Sequence, residues 1–548
     1  MAFTPTKEKS STTHEVETPT EENVTCEAVT PAEPKTGHDI SRARLTILIV
    51  GLGLAVFCVA LDNTILATAI PKISQEFRTI EDDGWYGSAY FLTICSVTLQ
   101  FGRLYTFYSL KWVFLGAVAL FEVGSLVCGA TPTSTGLIIG RAVAGLGSGG
   151  ILPGAILIIG YHVPLHRRAF FNALIMGMAS VAGVLGPLIG GALTEHATWR
   201  WCFYINLPMG GVTLLTVFFF FRDPPRTADR NVPTKEKVKS LDLIGLVLFI
   251  CAITCLVLAL EWGGSKYAWQ NVRIIVLFVL CGVLLGVWTG VQFWRQEKAT
   301  IPPRLIVQRN VWAAGIYSLL LSGAYYAMAY YIPVWLQAVK GASPTKSGVM
   351  NVPMIIAITV CSVLAGAIVN VIGYYTPLMI LGSIILTVGC GMCSTMDPAS
   401  NHSKWIGYQA LVGIGAGLGY NLPLMAVQTA LTGNDVAVGT AIVIFGQNLS
   451  STLFIAIAQN ILQSLLGPNL KHFAPSVSPE KVAAAGAADL SAHFSSDVLP
   501  SIKLAYNVAV TGSFYLGVAG AGLSLFGAVL VPWLSAKRAN TNTAVVAH

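Results

Sequence analysis

Fourteen apolar segments decide what this chain of 548 residues can fold into. A helix needs about 20 apolar residues to cross the roughly 30 Å hydrocarbon layer of a bilayer, and each segment is long enough. Several are joined by only a few residues, so consecutive helices must run antiparallel. The sequence predicts an all-α polytopic membrane protein with spans near 46–70, 85–105, 112–130, 136–160, 169–193, 202–221, 242–262, 273–294, 312–336, 347–370, 375–395, 404–430, 438–463 and 512–534.

Composition agrees with a membrane environment and excludes several other classes. Only 11% of the residues are charged, against about 25% in soluble domains. The net charge of +7 does not indicate nucleic acid, because Lys and Arg stand in short runs between apolar segments. No His/Glu cluster has metal-ligand spacing. No Gly-Lys pair occurs, which excludes the phosphate loop of an ATP-driven pump.

The distribution of basic residues predicts orientation and domain limits. With both termini in the cytoplasm, the inner loops carry more Lys and Arg than the outer loops, as the positive-inside rule requires. The predicted parts are a disordered cytoplasmic tail (1–44), a six-helix bundle (45–221), linkers with two inserted helices (222–311), a second six-helix bundle with outer loop 464–511 (312–534) and a cytoplasmic tail (535–548).

A weak internal repeat supports two related halves. The segment that begins at Gly102 after span 2 resembles the segment that begins at Gly366 after span 10, and Arg141 with its following glycines in span 4 aligns with Gln409 and its glycines in span 12. Two pseudo-symmetric six-helix bundles with two inserted helices are typical of transporters that bind substrate between the halves at mid-depth.

Three charged residues lie deep within the spans, where each costs about 2.5–3.5 kcal/mol on insertion scales. Asp62 in span 1 and Arg141 in span 4 fall at similar depth in the outer half and could pair. The pair is either a proton-coupling site or a buried salt bridge with no transport role. Glu122 in span 3 is either a second proton site or a protonated, hydrogen-bonded structural group.

Small and polar residues supply the other candidates. Glycines crowd span 5, where they favour close helix packing that could also seal a gate: Gly183, Gly186 and Gly190, together with Pro187. Polar and aromatic groups that could line a cavity for a bulky organic molecule are Asn63, Tyr325, Tyr326, Gln337, Asn421, Gln447 and Asn448. Tyr330, Tyr331 and Trp335 lie near a predicted interface and are assigned to an aromatic belt ahead of a ligand role.

Several of these residues fall in motifs whose order resembles a known family. The stretches are residues 61–71 in span 1, Arg141 with its glycines in span 4, 183–191 in span 5, 199–208 before and within span 6, and 331–348 around the end of span 9. Over residues 45–535 the chain resembles the fourteen-helix drug:proton antiporter branch of the major facilitator superfamily, and its fungal toxin and secondary-metabolite efflux pumps in particular.

The resemblance implies roles for particular residues. It places Asp62 and Arg141 in proton coupling, and Gly186 and Pro187 in the packing that controls outward opening. Gly102 and Lys111 belong to the loop that latches the cytoplasmic side. That loop departs from the family pattern, because Thr106 stands where the family has Asp, which puts an ionic latch of the usual kind in doubt.

The sequence therefore predicts a proton-coupled exporter of a toxin, drug or secondary metabolite, driven by the proton gradient with no cofactor and no metal. The predicted protein is a secondary active transporter rather than an enzyme. It is a monomer in the plasma membrane, or in the vacuolar membrane as the alternative, and its partners are a small-molecule substrate and the lipid bilayer. An importer of amino acids or siderophores and a non-transporting receptor are the alternative functions.

Overall fold

The computed structural model describes residues 41–77, 83–223, 242–264, 267–433, 435–478, 481–482 and 490–535. Nearly all of these residues are helical, and within these ranges the chain forms no β-strand. Most of the tail predicted at 1–44, most of the linker predicted after residue 222 and nearly all of the tail predicted at 535–548 lie outside the described residues.

Fourteen long segments match the predicted spans, and three of them are interrupted. They are α1 (Arg42–Phe77), α2 (Asp83–Phe107), α3 (Leu110–Ala130), α4 (Ser134–His162), α5 (Leu165–His196), α6 (Trp201–Tyr204 and Asn206–Phe220), α7 (Leu243–Trp262), α8 (Val272–Arg295), α9 (Arg309–Ala338), α10 (Pro344–Met350 and Val352–Ile372), α11 (Thr376–Ser394), α12 (His402–Gly419 and Leu422–Ala430), α13 (Asp435–Phe473) and α14 (Leu499–Leu530).

Thirteen of these segments are long and apolar enough to cross a membrane. The remaining one, α2, has 25 residues but includes Gln100 and Arg103. It packs against α4, α7 and α13, so much of its surface faces protein instead of lipid. A helix in that position can carry polar groups, because other helices supply their hydrogen-bond partners.

Three helices continue beyond the ends that hydropathy predicted. α1 runs to Phe77, α13 runs to Phe473 and α14 begins at Leu499. The predicted outer loop 464–511 is therefore helical at both ends. Hydropathy detects only the part of a helix that lies in hydrocarbon, whereas backbone hydrogen bonds extend a helix past that layer.

Each interruption follows from a proline placed just after it. Pro208, Pro353 and Pro423 have no N–H to donate, and their rings clash with the carbonyl four residues earlier. The first parts of the three helices end at Tyr204, Met350 and Gly419, at or within one residue of that carbonyl. The breaks leave backbone groups in the bundle interior that side chains can bind.

Contacts between helix ends define two faces of the bundle. We call the terminal face the one where α1 begins and α14 ends, and the opposite face the one where α1 ends. At the terminal face Arg44 Nε donates to the Phe220 carbonyl at 2.8 Å, and Arg309 Nε donates to the Leu530 carbonyl at 2.8 Å.

Glycines of the internal repeat occupy equivalent places in the two halves, α1–α6 and α9–α14. A Cβ on Gly147 of α4 would lie 2.4 Å from the Phe121 nitrogen of α3, and one on Gly415 of α12 would lie 2.2 Å from the Leu386 nitrogen of α11. The fourth helix of each half therefore approaches the third at matching glycines. This equivalence agrees with two pseudo-symmetric six-helix bundles.

The halves meet through a second matched pair of glycines, near the terminal face. A Cβ on Gly102 of α2 would lie 2.7 Å from the Ala441 Cβ of α13, and one on Gly366 of α10 would lie 2.6 Å from the Phe170 nitrogen of α5. The second helix of each half thus packs on the fifth helix of the other half. Only glycine permits so close an approach.

The inserted pair packs beside one of these seams. α7 contacts α2 of the first half and α13 of the second half, whereas α8 packs mainly on α7. Most of α8 is exposed, including Val272, Val279 and Trp294. We infer from these exposures that α8 faces lipid and that α7 covers the α2–α13 seam.

Candidate functional site

Asp62 and Arg141 form a buried ion pair in the first half. Arg141 Nη1 donates to Asp62 Oδ2, and each side chain is 1% exposed. The structure thus brings together two groups that the sequence placed at similar depth. An ion pair without access to water needs further hydrogen bonds to offset its desolvation.

Arg141 obtains those bonds from α2. Its Nε donates to the Tyr86 carbonyl at 2.7 Å, and its guanidinium lies 4.1 Å from the centre of the Tyr90 ring. The Tyr90 hydroxyl lies 2.6 Å from Ser148 Oγ on α4. The cation is therefore held by a carboxylate, a backbone carbonyl and an aromatic face, three partners of different strength.

Asn206 joins the pair, and sequence analysis gave it no role. Its Nδ2 lies 3.3 Å from Asp62 Oδ1 and 3.3 Å from Ser125 Oγ of α3. Asn206 is the first residue of the second part of α6, so the proline break positions it. A buried asparagine just before Pro208 in an apolar span was the sequence signal that could have identified it.

Glu122 lies on α3 beside α6, close to this cluster. Neither carboxyl oxygen has a hydrogen-bond partner among the residues that the structure describes. A Cβ on Gly210 would lie 1.7 Å from Glu122 Oε1, so only glycine leaves room for the carboxyl group. The structure thus shows no hydrogen bond of the kind that the structural alternative for Glu122 assumed. Ser125, one helical turn further along α3, connects this region to Asn206.

The glycines of α5 divide into two groups by their contacts. A Cβ on Gly186 would lie 2.0 Å from Thr64 Oγ1 of α1, while one on Gly183 would meet no atom within 4 Å. Gly190 is buried and Pro187 lies within the helix. The contact of Gly186 is inside the first half. Contact between the halves along α5 instead involves Gly177, whose Cβ would lie 3.1 Å from Thr359 Cγ2 of α10.

Four of the predicted cavity residues gather around the break in α12. The hydroxyls of Tyr326 and Tyr420 lie 3.2 Å apart, and the ring centres of Tyr325 and Tyr420 lie 6.2 Å apart. Gln447 Nε2 donates to the Tyr420 carbonyl, which the break leaves available, at 3.1 Å. Asn421 is buried and neither of its amide atoms has a partner among the described residues. Tyr420 was missed by the sequence analysis.

The other three predicted cavity residues lie apart from this cluster. Asn63 is next to Asp62 on α1, in the first half. Gln337 Nε2 donates to Ser347 Oγ at 2.8 Å and so joins α9 to α10 near the opposite face. Asn448 Nδ2 lies 3.5 Å from Thr98 Oγ1, a contact between α13 and α2.

The belt assignment was wrong for two of the three aromatic residues near the end of α9. Tyr331 is 1% exposed and Trp335 is fully buried, with its Nε1 donating to Asn507 Oδ1 of α14 at 2.7 Å. Hydropathy could not show which side of α9 faces the protein. Tyr330 is exposed.

A cavity of about 500 Å³ lies between the halves. Residues of α1, α2, α7, α9 and α13 line it, and on each of these helices they fall in the part nearer the opposite face. Its aromatic and amide side chains are Phe91, Tyr330, Tyr331, Gln459, Asn460 and Gln463. The volume and the mixture of rings and amides suit an organic molecule of moderate size.

The chain between α8 and α9, residues 296–304, links both halves at the terminal face; we call it the connector. Gln100 Nε2 of α2 donates to Thr300 Oγ1 at 2.8 Å, and Arg103 Nε of α2 donates to the Ala299 carbonyl at 2.6 Å. Arg304 makes two bonds to the Asp435 carboxylate at the start of α13, at 2.7 and 2.8 Å.

Asp242, just before α7, fixes the connector to the inserted pair. It accepts bonds from Gln292 Nε2 at 2.7 Å, Arg295 Nη1 at 2.8 Å and Thr300 N at 3.2 Å. Burial would raise the pKa of the Asp242 carboxyl, but these bonds and one from the Gly245 amide outweigh it and hold the pKa below its usual range. The ionised carboxylate therefore stabilises the folded state above the unfolded-state pKa of about 4. That contribution is lost only as the pH falls through the lower folded-state pKa.

Lys111 and Thr106 make their contacts within the first half. Lys111 Nζ donates to the Phe218 carbonyl of α6 at 2.5 Å, and its backbone N–H donates to Asp223 Oδ1 at 2.9 Å. Thr106 Oγ1 donates to the Gly102 carbonyl at 2.9 Å. Of the loop residues that the resemblance assigned to the latch, Gly102 is the one whose contact with the other half is described above.

Comparison with known families decides the class. Residues 52–455 match the family model of the Major Facilitator Superfamily. The chain belongs to this superfamily. This facilitator is therefore a multi-pass membrane transporter, and the resemblance stated from its motifs is confirmed.

Relatives of the facilitator include fungal proteins that are similar over most of their length. An MFS-type transporter of Penicillium ochrochloron, ptmT, is 51% identical over 89% of this chain and 86% of its own. An efflux pump of Penicillium rubens, roqT, is 48% identical over 93% of this chain and 95% of its own. An MFS-type efflux pump of Arthroderma benhamiae is 45% identical over 92% of this chain and 94% of its own.

Solved structures share the fold at low identity. A double-tryptophan mutant of XylE matches 92% of this facilitator and 99% of its own chain, with a TM-score of 0.59 and 12% identity. A bacterial homologue of the human lysosomal transporter Spinster matches 90% and 97%, with a TM-score of 0.55 and 14% identity. The all-α fold predicted from hydropathy is confirmed.

Proposed function

We propose that this facilitator exports small organic molecules in exchange for protons, by alternating access. The curated relatives described above include fungal proteins named as efflux pumps, which supports export of a toxin, drug or secondary metabolite. The observation that carries the proton coupling is the buried Asp62–Arg141 pair. A pair that served stability alone could be replaced by apolar side chains at little cost.

The Asp62 carboxylate is the group that exchanges protons. When Asp62 takes up a proton, Arg141 keeps its bond to the Tyr86 carbonyl and its contact with the Tyr90 ring. These two partners hold the cation in place while its counter-ion is neutral. Asn206 bonds to Asp62 and to Ser125 and so extends the polar cluster toward Glu122, which we assign as a second proton site.

The terminal face is the cytoplasmic face in this proposal, because the loops on that side carry the excess of Lys and Arg. The glycine contacts between the halves then close the cytoplasmic side, and the cavity lies on the outer side. The structure corresponds to an outward-facing state that releases substrate. The plasma membrane is the proposed location, with the protein acting as a monomer.

The connector keeps the cytoplasmic side closed in place of the family latch that Thr106 lacks. Arg304 and Asp435 are partly exposed, and exposed ion pairs contribute about 0.2–1 kcal/mol. We expect Arg304→Asp alone, or Asp435→Arg alone, to slow export by up to about fivefold. The double swap, Arg304→Asp with Asp435→Arg, should restore most of the rate, measured as flux into vesicles.

A matched control for the swap lies on the opposite face. Lys404 and Asp397 form an exposed pair at 3.2 Å within the second half. Lys404→Glu makes a comparable charge reversal that spans no seam, and it should leave the export rate unchanged. Equal slowing by Lys404→Glu and Arg304→Asp, or no recovery in the double swap, would show that the connector does not hold the halves together.

The proposal is tested by flux in sealed vesicles. Purified protein is reconstituted and supplied with a panel of fungal metabolites, with and without an imposed pH gradient. Export predicts substrate movement that follows the gradient. Equal flux without a proton gradient or voltage would contradict proton coupling.

The alternative functions are separated in cells that lack the protein. Accumulation of substrate supports export, and loss of uptake of amino acids or siderophores supports import. Normal flux with lost signalling supports a receptor.

A further inference from the structure

The outer cavity has one wall that comes from outside the two six-helix halves. Val257, Leu260 and Gly263 of the inserted helix α7 line it together with α1, α2, α9 and α13. Helix α8, the other inserted helix, contributes no residue to this lining. The two inserted helices therefore differ in what they contact.

Packing along α7 fixes that wall against both halves. Phe249, Ile253 and Val257 of α7 lie in one apolar cluster with Cys95 and Leu99 of α2. Phe445 of α13 packs against the same cluster, with its ring centre 5.4 Å from that of Phe249. The wall is thus held against a helix of each half.

The far end of α7 is also seated on α13. Gly264 has a φ of +76°, which favours glycine, and a Cβ there would lie 2.2 Å from Asn460 Oδ1. Asn460 itself lines the cavity. A side chain other than hydrogen at residue 264 would push the end of α7 away from α13.

The lining contains no Asp, Glu, Lys, Arg or His. It offers the rings of Phe91, Tyr330 and Tyr331 and the amides of Gln459 and Gln463. The Tyr331 hydroxyl donates to Gln459 Oε1 at 2.9 Å. An ion that entered would lose water and meet no opposite charge, which is unfavourable. A neutral molecule with a ring and a few polar groups would lose much less.

We propose that α7 forms a selective wall of a binding site for uncharged, partly aromatic organic molecules. This inference rests on the proposed export function and adds the substrate class and a role for an inserted helix. Substrates pass along the face of α7 that carries Val257 and Leu260, and ionic molecules are excluded because the site holds no counter-ion.

Equilibrium binding tests the charge rule with three probes that share one skeleton. The probes are a neutral coumarin, its carboxylate derivative and its trimethylammonium derivative, titrated against the purified full chain. The neutral probe should bind at least about tenfold more tightly than either ion. Gln459→Glu adds a carboxylate and should make the cationic probe bind at least as tightly as the neutral one. Asn469→Asp, the same type of change on α13 beyond the cavity, should leave the order of the three probes unchanged.

A second pair of variants tests the wall. Leu260→Trp fills the cavity from α7 and should weaken binding of the neutral probe by at least about tenfold. Leu280→Trp makes the same change on the exposed α8 and should have no effect. Equal effects of the two tryptophans, or charged probes that bind wild type as tightly as the neutral one, would overturn the inference.

Flux measured in parallel keeps this inference distinct from the export function. Binding that follows the expected pattern without any transport would support the site and contradict export. Transport by wild type with equal rates in Leu260→Trp and Leu280→Trp would support export and contradict the role of α7.

Discussion

Replacing Asp62 with asparagine is expected to abolish transport driven by a pH gradient, to the level of vesicles without protein. Asparagine keeps the shape and a hydrogen bond to Arg141 but cannot exchange a proton. The measurement is substrate flux in reconstituted vesicles with and without an imposed gradient. Full gradient-driven flux in Asp62→Asn would remove this residue from the mechanism.

A folding defect must be separated from a coupling defect in this variant. Removal of one partner from a buried pair costs about 3–5 kcal/mol, because the other charge is left uncompensated. The double variant Asp62→Asn with Arg141→Gln leaves no charge at the pair. It should be monodisperse and fold at least as well as Asp62→Asn, yet still fail to follow the gradient.

Glu76→Gln is the matched control for Asp62→Asn. Glu76 lies on the same helix and also pairs with an arginine, Arg200, at 2.9 Å, but its side chain is 47% exposed. The same exchange of carboxylate for amide in an exposed pair should leave coupled flux unchanged. Loss of coupling in both variants would show that the effect does not depend on burial.

Gly366→Ala is expected to shift the transporter away from the state closed at the terminal face. The added Cβ would lie 2.6 Å from the Phe170 nitrogen and 2.8 Å from the Ala169 carbonyl carbon, both backbone atoms of α5 that cannot rotate aside. Overpacking costs about 1–3 kcal/mol, which corresponds to a shift of about 5- to 150-fold in the equilibrium between the two states. Export should fall accordingly.

The conformational effect of Gly366→Ala can be measured as a distance. Spin labels at Arg167→Cys on α5 and Ile372→Cys on α10, in a background without other cysteines, should move apart in the variant. Gly391→Ala on α11 is the control, because a Cβ there meets no atom within 4 Å. An unchanged distance and normal export in Gly366→Ala would contradict closure by this contact.

The site shows which parts of the prediction depended on long-range contacts. Asp62 and Arg141 could be proposed as a pair because both are charged and their depths follow from span limits. Asn206 could not, since it lies 144 residues from Asp62 and carries no charge. Its role depends on the break in α6, which aims a neutral amide at the pair.

The gate illustrates the same division. The sequence identified Gly102 and Gly366 as equivalent positions, and the structure shows both at the seams between the halves. Nothing in the sequence indicated that the connector joins Arg103 to the Ala299 carbonyl, 196 residues away, or Arg304 to Asp435. A bond to a backbone carbonyl leaves no pattern in the residue types.

The sequence by itself determined the class of protein, the number of long helical segments and the charged residues that a bilayer would not tolerate without a reason. These follow from transfer free energy, which depends on local composition and is summed along the chain. The tertiary structure decided which polar groups meet, which face of α9 is buried and which inserted helix reaches the cavity. Those outcomes depend on how helices rotate and pack against each other, and hydropathy along one chain does not specify that rotation.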